Sequence, residues 1–541
     1  MTNTKQYDNL PIEKFQFAQK NDISHDKKFD TKPVSYLEGA LRRFCRNKGA
    51  VVAAVVITVL IIFAIVAPFC TPYTAAYHDA RLRAVSPKNK WFENTNFWDG
   101  YRTKEVGYLQ YIKDYTFALE TGVEVIKNGD VKITESDDGS KLYKYRFDTY
   151  RNLGFGQVYG EVSLEEFEDI QRYQNETGRQ VIYPIVKFSD RPTTMEAVND
   201  PNIYYKTKVD ENGKSVPMLD ADGNIQLNYW KRSEKTEQEG SPVPNYTSLR
   251  IEGEDGIVEA DGNKYYYAYG RVLLNGQIEV RLENYEYYIY EYSQTNKYDD
   301  MVRGEVKEPY FLFGTTDIDG KDIFACLANG ARFSFIFATV VALVNLIVGA
   351  IWGSISGYFG GKLDLFMERF CEVLGSVPTM IVITLLKYHM GPTNHALVLF
   401  IAFFATGWIG MAHLTRMQFY RFKNQEYVLA ARTLGATDRR VMFKHIFPNG
   451  LGTIVTSCAL IIPSMIYSET SLSYLGIISL ESGNITSVGT LIAAGQSSIV
   501  ANAAYVALFP CLFLCLLMLS FNLFGNGLRD AFNPSLRGAE D

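Results

Sequence analysis

Two textures alternate along the chain. Residues 50–69, AVVAAVVITVLIIFAIVAPF, run for twenty positions without a charge. At about 1.5 Å per helical residue such a run covers the roughly 30 Å hydrocarbon core of a bilayer. Further apolar stretches lie beyond residue 330, and they predict helices near 333–357, 367–386, 396–415, 450–468 and 502–524. Between residues 71 and 312 the texture reverses, becoming polar and acidic and carrying most of the 36 tyrosines. The fold class expected is a mainly α membrane protein with six transmembrane helices and a β-rich α+β domain inserted between helices one and two.

The insert reads as a folded domain. Turn dipeptides punctuate it at Asp99-Gly100, Asn128-Gly129, Asp138-Gly139, Asn212-Gly213, Asp222-Gly223, Asp255-Gly256, Asp261-Gly262 and Asn275-Gly276. Tyrosine- and valine-rich runs between them, such as KYYYAYGRVLLNGQIEVRLENYEYYIYEY at 264–292, favour antiparallel strands. One helix is predicted from the capping box Ser163-Leu-Glu-Glu166, ending by Gly178. With about 240 residues the insert is long enough to bury its own core.

Cations set the expected orientation, because short cytoplasmic loops are enriched in Lys and Arg. Arg416, Arg421, Lys423, Arg432, Arg439, Arg440 and Lys444 stand between the fourth and fifth helices, against only Glu426 and Asp438. Residues 450–528 contain no Lys or Arg. The reading is therefore a cytoplasmic N-terminal tail at 1–48, a first transmembrane helix at 49–70, an extracytoplasmic domain at 71–312, a membrane core at 313–534 with a basic loop at 416–449, and a cytoplasmic tail at 535–541. A long basic leader with Lys27, Lys28, Arg42, Arg43, Arg46 and Lys48 argues for a retained first span over a cleaved signal peptide.

Net charge is −6, and all seven cysteines lie outside the insert without metal-ligand spacing, so an exported domain without disulfides is expected. Gly314-Thr-Thr-Asp-Ile-Asp-Gly320-Lys321-Asp322 has the wrong glycine spacing for a phosphate loop. No HExxH or G-x-S-x-G pattern occurs, so catalysis, cofactor, metal and nucleic acid are not expected of this chain. Asp317, Asp319 and Asp322, or Asp220 and Asp222, read as solvated turns more readily than as a calcium loop, which needs more oxygens in a defined order. The sequons at Asn175 and Asn245 are too short a pattern to carry weight.

The basic loop holds the most informative stretch, EYVLAARTLGATDRRVMFKHIFPN at 426–449. Leu429, Ala430 and Ala431 favour a helix that Gly435 ends, and Thr437 or Asp438 begins a second short helix stopped by Pro448. Small Ala430 and Ala431 would allow another surface to approach the backbone; an amphipathic helix on anionic lipid is the competing reading. Glu426-Tyr-Val-Leu-Ala-Ala-Arg-Thr-Leu-Gly435, followed by Ile446-Phe-Pro-Asn449, resembles the EAA loop of ATP-binding-cassette importer permeases. Phe313-Gly-Thr-Thr-Asp317, Gly320-Lys-Asp322, Glu469-Thr-Ser-Leu-Ser-Tyr-Leu-Gly476, Phe521-Asn-Leu523, Gly525, Leu528-Arg-Asp530 and Pro534 are similar to the second permease subunit of oligopeptide and dipeptide importers, the OppC/DppC type. The resemblance covers about 36–70 and 311–534; it omits the insert and thins at Ser487-Val-Gly489.

That resemblance implies a non-catalytic subunit of a bacterial plasma-membrane importer. It implies a second homologous permease, two cytoplasmic ATPase subunits carrying ATP and Mg, a lipid-anchored extracellular substrate-binding protein, and a peptide substrate, with nickel, glutathione or another small solute as alternatives. Glu426, Ala430, Ala431, Arg432, Gly435, Ile446 and Pro448 would couple to the ATPases. Glu469 and Ser473 are candidates for the translocation path. Gly349, Gly353 and Gly357, four apart, form a small-residue face for helix packing. Asp364, Glu368 and Glu372 also recur every four residues and are expected to be paired, with Arg369 or a neighbouring subunit. A membrane-anchored sensor and an ion-coupled transporter are the rival classes, the latter disfavoured by the near absence of ionisable groups in helices one, two and six.

Overall fold

The computed structural model describes residues 36–532, apart from segments of which the longest are 116–124, 184–206 and 224–256. Asp220, Asp222, Asn245 and Pro534 lie outside the described residues, as do the turns at Asn212-Gly213, Asp255-Gly256 and Asp261-Gly262.

An amphipathic helix α1 (Tyr36–Arg46) leads into α2 (Lys48–Cys70), whose start is capped by Asn47 accepting from the Ala50 amide at 3.2 Å. Beyond the insert come α5 (Ile323–Phe359), α6 (Gly361–Gly375), α7 (Thr379–Met390), α8 (His395–Phe422), α9 (Glu426–Thr433), α10 (Asp438–Tyr474), α11 (Val488–Ser498) and α12 (Tyr505–Phe532). Among the described residues, α2, α5, α8, α10 and α12 are each long and apolar enough to span a bilayer. The third predicted helix is broken: α6 and α7 meet at 66° and make a sixth span only when counted together. Pro378 explains the break, because it lacks an N–H and pushes Val377 out of helical backbone.

The fifth helix departs from expectation in the opposite sense. Pro448 does not stop a short helix there; it sits in the first turn after a π-helical stretch, Val441–Ile446, and α10 continues to Tyr474. The wider i→i+5 turn removes the demand for the amide that proline lacks, so charged loop and apolar span form one element.

The insert contributes β1 (Tyr101–Gly107), β2 (Ile126–Glu135), β3 (Lys141–Asp148), β4 (Gln157–Val162), α3 (Leu164–Thr177), β5 (Ile182–Tyr183), β6 (Thr207–Val209), β7 (Ser215–Pro217), β8 (Ile257–Ala260), β9 (Asn263–Tyr266), β10 (Gly270–Val272), β11 (Ile278–Glu283) and α4 (Asn284–Thr295). The antiparallel strands form one sheet ordered β1-β3-β2, a larger sheet β4-β11-β10-β9-β8 with β5 also on β11, and a β6-β7 pair. Ser163 caps α3 by accepting from the Glu166 amide at 3.1 Å, and Gly178 ends it at φ +70°. Asn128-Gly129 is no hairpin turn; it forms an irregularity inside β2 where the register with β3 shifts.

One stretch expected as strand is helix. Tyr285, Tyr288, Ile289 and Tyr292 fall at i, i+3, i+4 and i+7 and are all buried, while Glu283 caps α4 through the Tyr285 and Glu286 amides. Their partners are Tyr73, Tyr77, Leu82 and Val85 from the segment that leaves α2, Val302 and Phe311 from the one that enters α5, and Tyr150 from the turn after β3. Tyr73 and Tyr292 join hydroxyl to hydroxyl at 2.8 Å, and Tyr150 both accepts from the Phe311 amide and donates to its carbonyl. Trp98 stacks on Phe509 of α12, ring centres 5.7 Å apart, and donates its indole N–H to the Leu312 carbonyl. The insert is seated on the ends of α2 and α5 through this aromatic core, and on α12 through Trp98.

Candidate functional site

At the opposite end of the helices, α9 and the start of α10 form a bracket. Val428, Val441, Met442 and Ile446 are buried against Tyr358 of α5 and Phe419 of α8. The outer surface stays open: Glu426, Ala430 and Gly435 are exposed, Tyr427 and Leu429 largely so, and Leu434 is 88 % exposed. Gly435 adopts φ +82°, and its amide and that of Ala436 return to the Arg432 and Ala431 carbonyls at 2.9 and 3.0 Å, a two-bond helix ending that needs the left-handed region. Ala431 is half-buried, Ile446 fully buried and Pro448 exposed.

Tyr358 ties the bracket to the span below. Its hydroxyl donates to Asp438 at 2.5 Å, and the Arg432 guanidinium lies 5.1 Å from its ring centre. Lys423 donates to the Gly357 carbonyl at 2.9 Å. Arg416 makes a two-pronged bond to Asp364 at 2.6 and 2.7 Å, and Ser356 and Tyr420 donate to the same carboxylate. Glu368 also meets Arg416, at 3.4 Å, and His413 at 3.0 Å, whereas Arg369 pairs with Glu372. The α6 carboxylates thus divide their pairing between α8 and their own helix. Arg416 was visible in the sequence as a loop cation; as the last stage of α8 it is a cross-helix clamp.

Gly349, Gly353 and Gly357 lie against the backbone of α8. A Cβ on Gly353 would meet the Ala412 carbonyl at 2.2 Å, and one on Gly349 the Trp408 carbonyl at 2.7 Å. The small-residue face therefore lets α5 and α8 approach within one chain.

Glu469 is fully buried near the far end of α10, where Ser473 donates at 3.0 Å, Ser334 of α5 at 3.3 Å, and Ser487 also bonds to it. These three hydroxyls bind α5, α10 and the start of α11 around one carboxylate. Ser473 also lines a cavity of about 310 Å³ shared with Thr316, Lys321, Thr486 and Thr490. Ser487, at the place where the resemblance thins, was missed as a site residue: it caps α11 by accepting from Thr490 at 3.2 Å, and Gly330 packs against its backbone. The signal was Ser487-x-x-Thr490 ahead of an apolar run.

The aspartates before α5 have separate tasks. Asp322 caps α5 through the Phe324 amide and accepts from Thr71, while Asp319 faces Lys321. Among the described residues no group of three His, Cys, Asp or Glu side chains is arranged to hold a metal ion.

Comparison with known proteins covers both ends of the chain. Residues 349–538 match the family described as "Binding-protein-dependent transport system inner membrane component", and residues 35–87 match "N-terminal TM domain of oligopeptide transport permease C". The oligopeptide transport system permease protein OppC of Bacillus subtilis is 40 % identical over 248 residues, 46 % of this chain and 78 % of that one. The dipeptide transport system permease protein DppC of the same organism is 37 % identical, covering 42 % of this chain and 69 % of its own. OppC of Haemophilus influenzae is 38 % identical, covering 44 % and 74 % respectively. The interval between the two family matches, residues 88–348, contains every strand of the insert, while its first residues, 71–87, fall within the N-terminal match. This chain belongs to the binding-protein-dependent permeases of ATP-binding-cassette transporters, in the OppC/DppC group.

Proposed function

We propose that this chain is one of two homologous permease subunits in a plasma-membrane importer for oligopeptides or dipeptides, driven by two cytoplasmic ATPases that bind ATP and Mg. The 416–449 loop and both termini face the cytoplasm, and the insert faces outward, where it receives a lipid-anchored substrate-binding protein. The observation that carries the reading is the bracket formed by α9 and the start of α10. It offers exposed Glu426, Ala430 and Leu434 on one side while Val428, Val441 and Ile446 anchor its other side to α5 and α8. Large apolar side chains held out on a well-anchored base suit reversible docking to a partner groove. The continuity of α10 then carries ATPase movement from the bracket toward Glu469.

The test is copurification of ATPase subunits with the detergent-solubilised chain, together with peptide uptake. Leu434→Glu and Glu426→Arg should leave the permease level in the membrane unchanged yet remove most of the bound ATPase and most uptake. Full ATPase retention and uptake in both variants would sink the proposal. Insert docking has a separate test, because Tyr101 and Asp148 pair in register and the chain leaves and re-enters the small sheet at neighbouring points. Replacing 102–147 by a short Gly-Ser link should reduce peptide delivery while preserving ATPase association.

A further inference from the structure

At the insert end of α2 and α5 two arginines face one aromatic ring. The Arg303 guanidinium lies 5.4 Å and that of Arg332 5.8 Å from the centre of Phe69. Arg303 also donates to the Pro68 carbonyl. Both arginines are exposed, and neither forms an ion pair with a described carboxylate. Two guanidinium groups on one ring, with no described carboxylate paired to either, concentrate positive donors at one point.

Their position identifies what would neutralise them. Val52, Val55, Val59, Ile62, Val66 and Phe69 recur at helical spacing along α2 and are all exposed, with Phe69 at 66 %. On α5 the exposed face runs Arg332, Ile336, Val340, Leu343, Ile347 and Ile351. The two helices are in contact, and Ile57, Leu60 and Ala64 share one buried cluster with Leu327, Ala331 and Ala338, which places the two exposed stripes side by side. Phe69 ends the uncharged run of α2, and Arg332 stands one residue before the apolar run of α5. Both stripes therefore reach the polar boundary of the bilayer at the same place, where arginine extends its guanidinium toward headgroups.

We infer that Arg303, Arg332 and Phe69 form a binding site for the phosphate of an anionic lipid headgroup, with the acyl chains lying along the α2 and α5 stripes. Because Arg303 belongs to the segment that closes the insert and Arg332 to a span, one bound lipid would link the two. A soluble carboxylate would satisfy the charges and leave the adjoining apolar surface unused; a lipid satisfies both.

The test uses the full-length chain purified in detergent with its copurifying subunits. Phosphatidylglycerol should raise the thermal unfolding midpoint by about 4 °C, against little change for phosphatidylcholine with the same acyl chains. Arg303→Gln combined with Arg332→Gln should abolish the difference, and the paired Lys substitutions should retain part of it. Native mass spectrometry of the unaltered chain supplies a check independent of variant folding: phosphatidylglycerol should be retained at least about tenfold over phosphatidylcholine. Equal retention of the two lipids, or a lipid effect that persists in the Gln pair, overturns the site. An equal increment from inorganic phosphate alone overturns the lipid as its ligand.

Discussion

The two ends of the helical body are finished in contrasting ways. At the insert end, tyrosines and phenylalanines from both flanks of the insert are buried together, and the polar groups between them bond to each other. At the bracket end, a small apolar patch around Tyr358 and Phe419 is supplemented by charge, chiefly Arg416 on Asp364, and large apolar side chains remain outside. Extensive aromatic burial makes a joint that resists separation. A thin core with an exposed apolar rim makes a joint that holds its own shape while leaving surface for another molecule.

The sharpest way to break the insert joint is Phe311→Ala. Phe311 is fully buried and stacks on Tyr73 at 4.8 Å, so truncation should cost about 3–5 kcal/mol, seen as protease cutting within 71–312 while the spans stay intact. At the bracket end, Asp364→Ala should cost about 3 kcal/mol by leaving Arg416 without its two-pronged partner. Asp364→Leu with Arg416→Met should recover much of that in thermal unfolding, a rescue the aromatic joint has no counterpart for. Tyr358→Phe is a finer probe, removing the bond to Asp438 for about 1 kcal/mol. Its expected signature is ATP hydrolysis that persists while uptake falls.

A further effect concerns pH. Burial pushes the Glu283 carboxyl up from its ordinary 4.5 to about 8, against the opposing pull of the backbone amides it caps. A carboxyl with a raised folded value favours folding while protonated, so its contribution is complete below about pH 4.5 and is lost as pH rises through 8. Thermal unfolding of the insert should therefore decline toward pH 9, and Glu283→Gln should flatten that decline. An unchanged slope in the variant would assign the decline to other groups.

Much of the membrane body was legible from uncharged runs, since a span must satisfy its backbone internally and apolar length follows directly. What the runs concealed were effects of single prolines. Pro378 breaks a span and Pro448 does not, because the π turn at Val441–Ile446 absorbs the second and nothing of that kind precedes the first. In the insert, β-favouring tyrosines masked the helix at 284–295, although the spacing of Tyr285, Tyr288, Ile289 and Tyr292 carried its period. The α9 helix and its ending at Gly435 were legible from Leu429, Ala430, Ala431 and the glycine, but Tyr358, Phe419 and Asp364 beneath them were not. Their importance arises from contacts between segments about 50 to 80 positions apart, which no local pattern records.

The unbroken course of α10 has a mechanical consequence. From Asp438 to Glu469 it spans on the order of 45 Å at about 1.5 Å per residue, with no intervening loop. A push or twist delivered at the bracket is borne by a rod, and its give is concentrated where the hydrogen-bond ladder is interrupted, at the π turn and at Pro463. In the coupling proposed above, such a rod would deliver displacement to a chosen depth in the bilayer, and its two compliant points would set how much of a stroke becomes tilt and how much becomes travel.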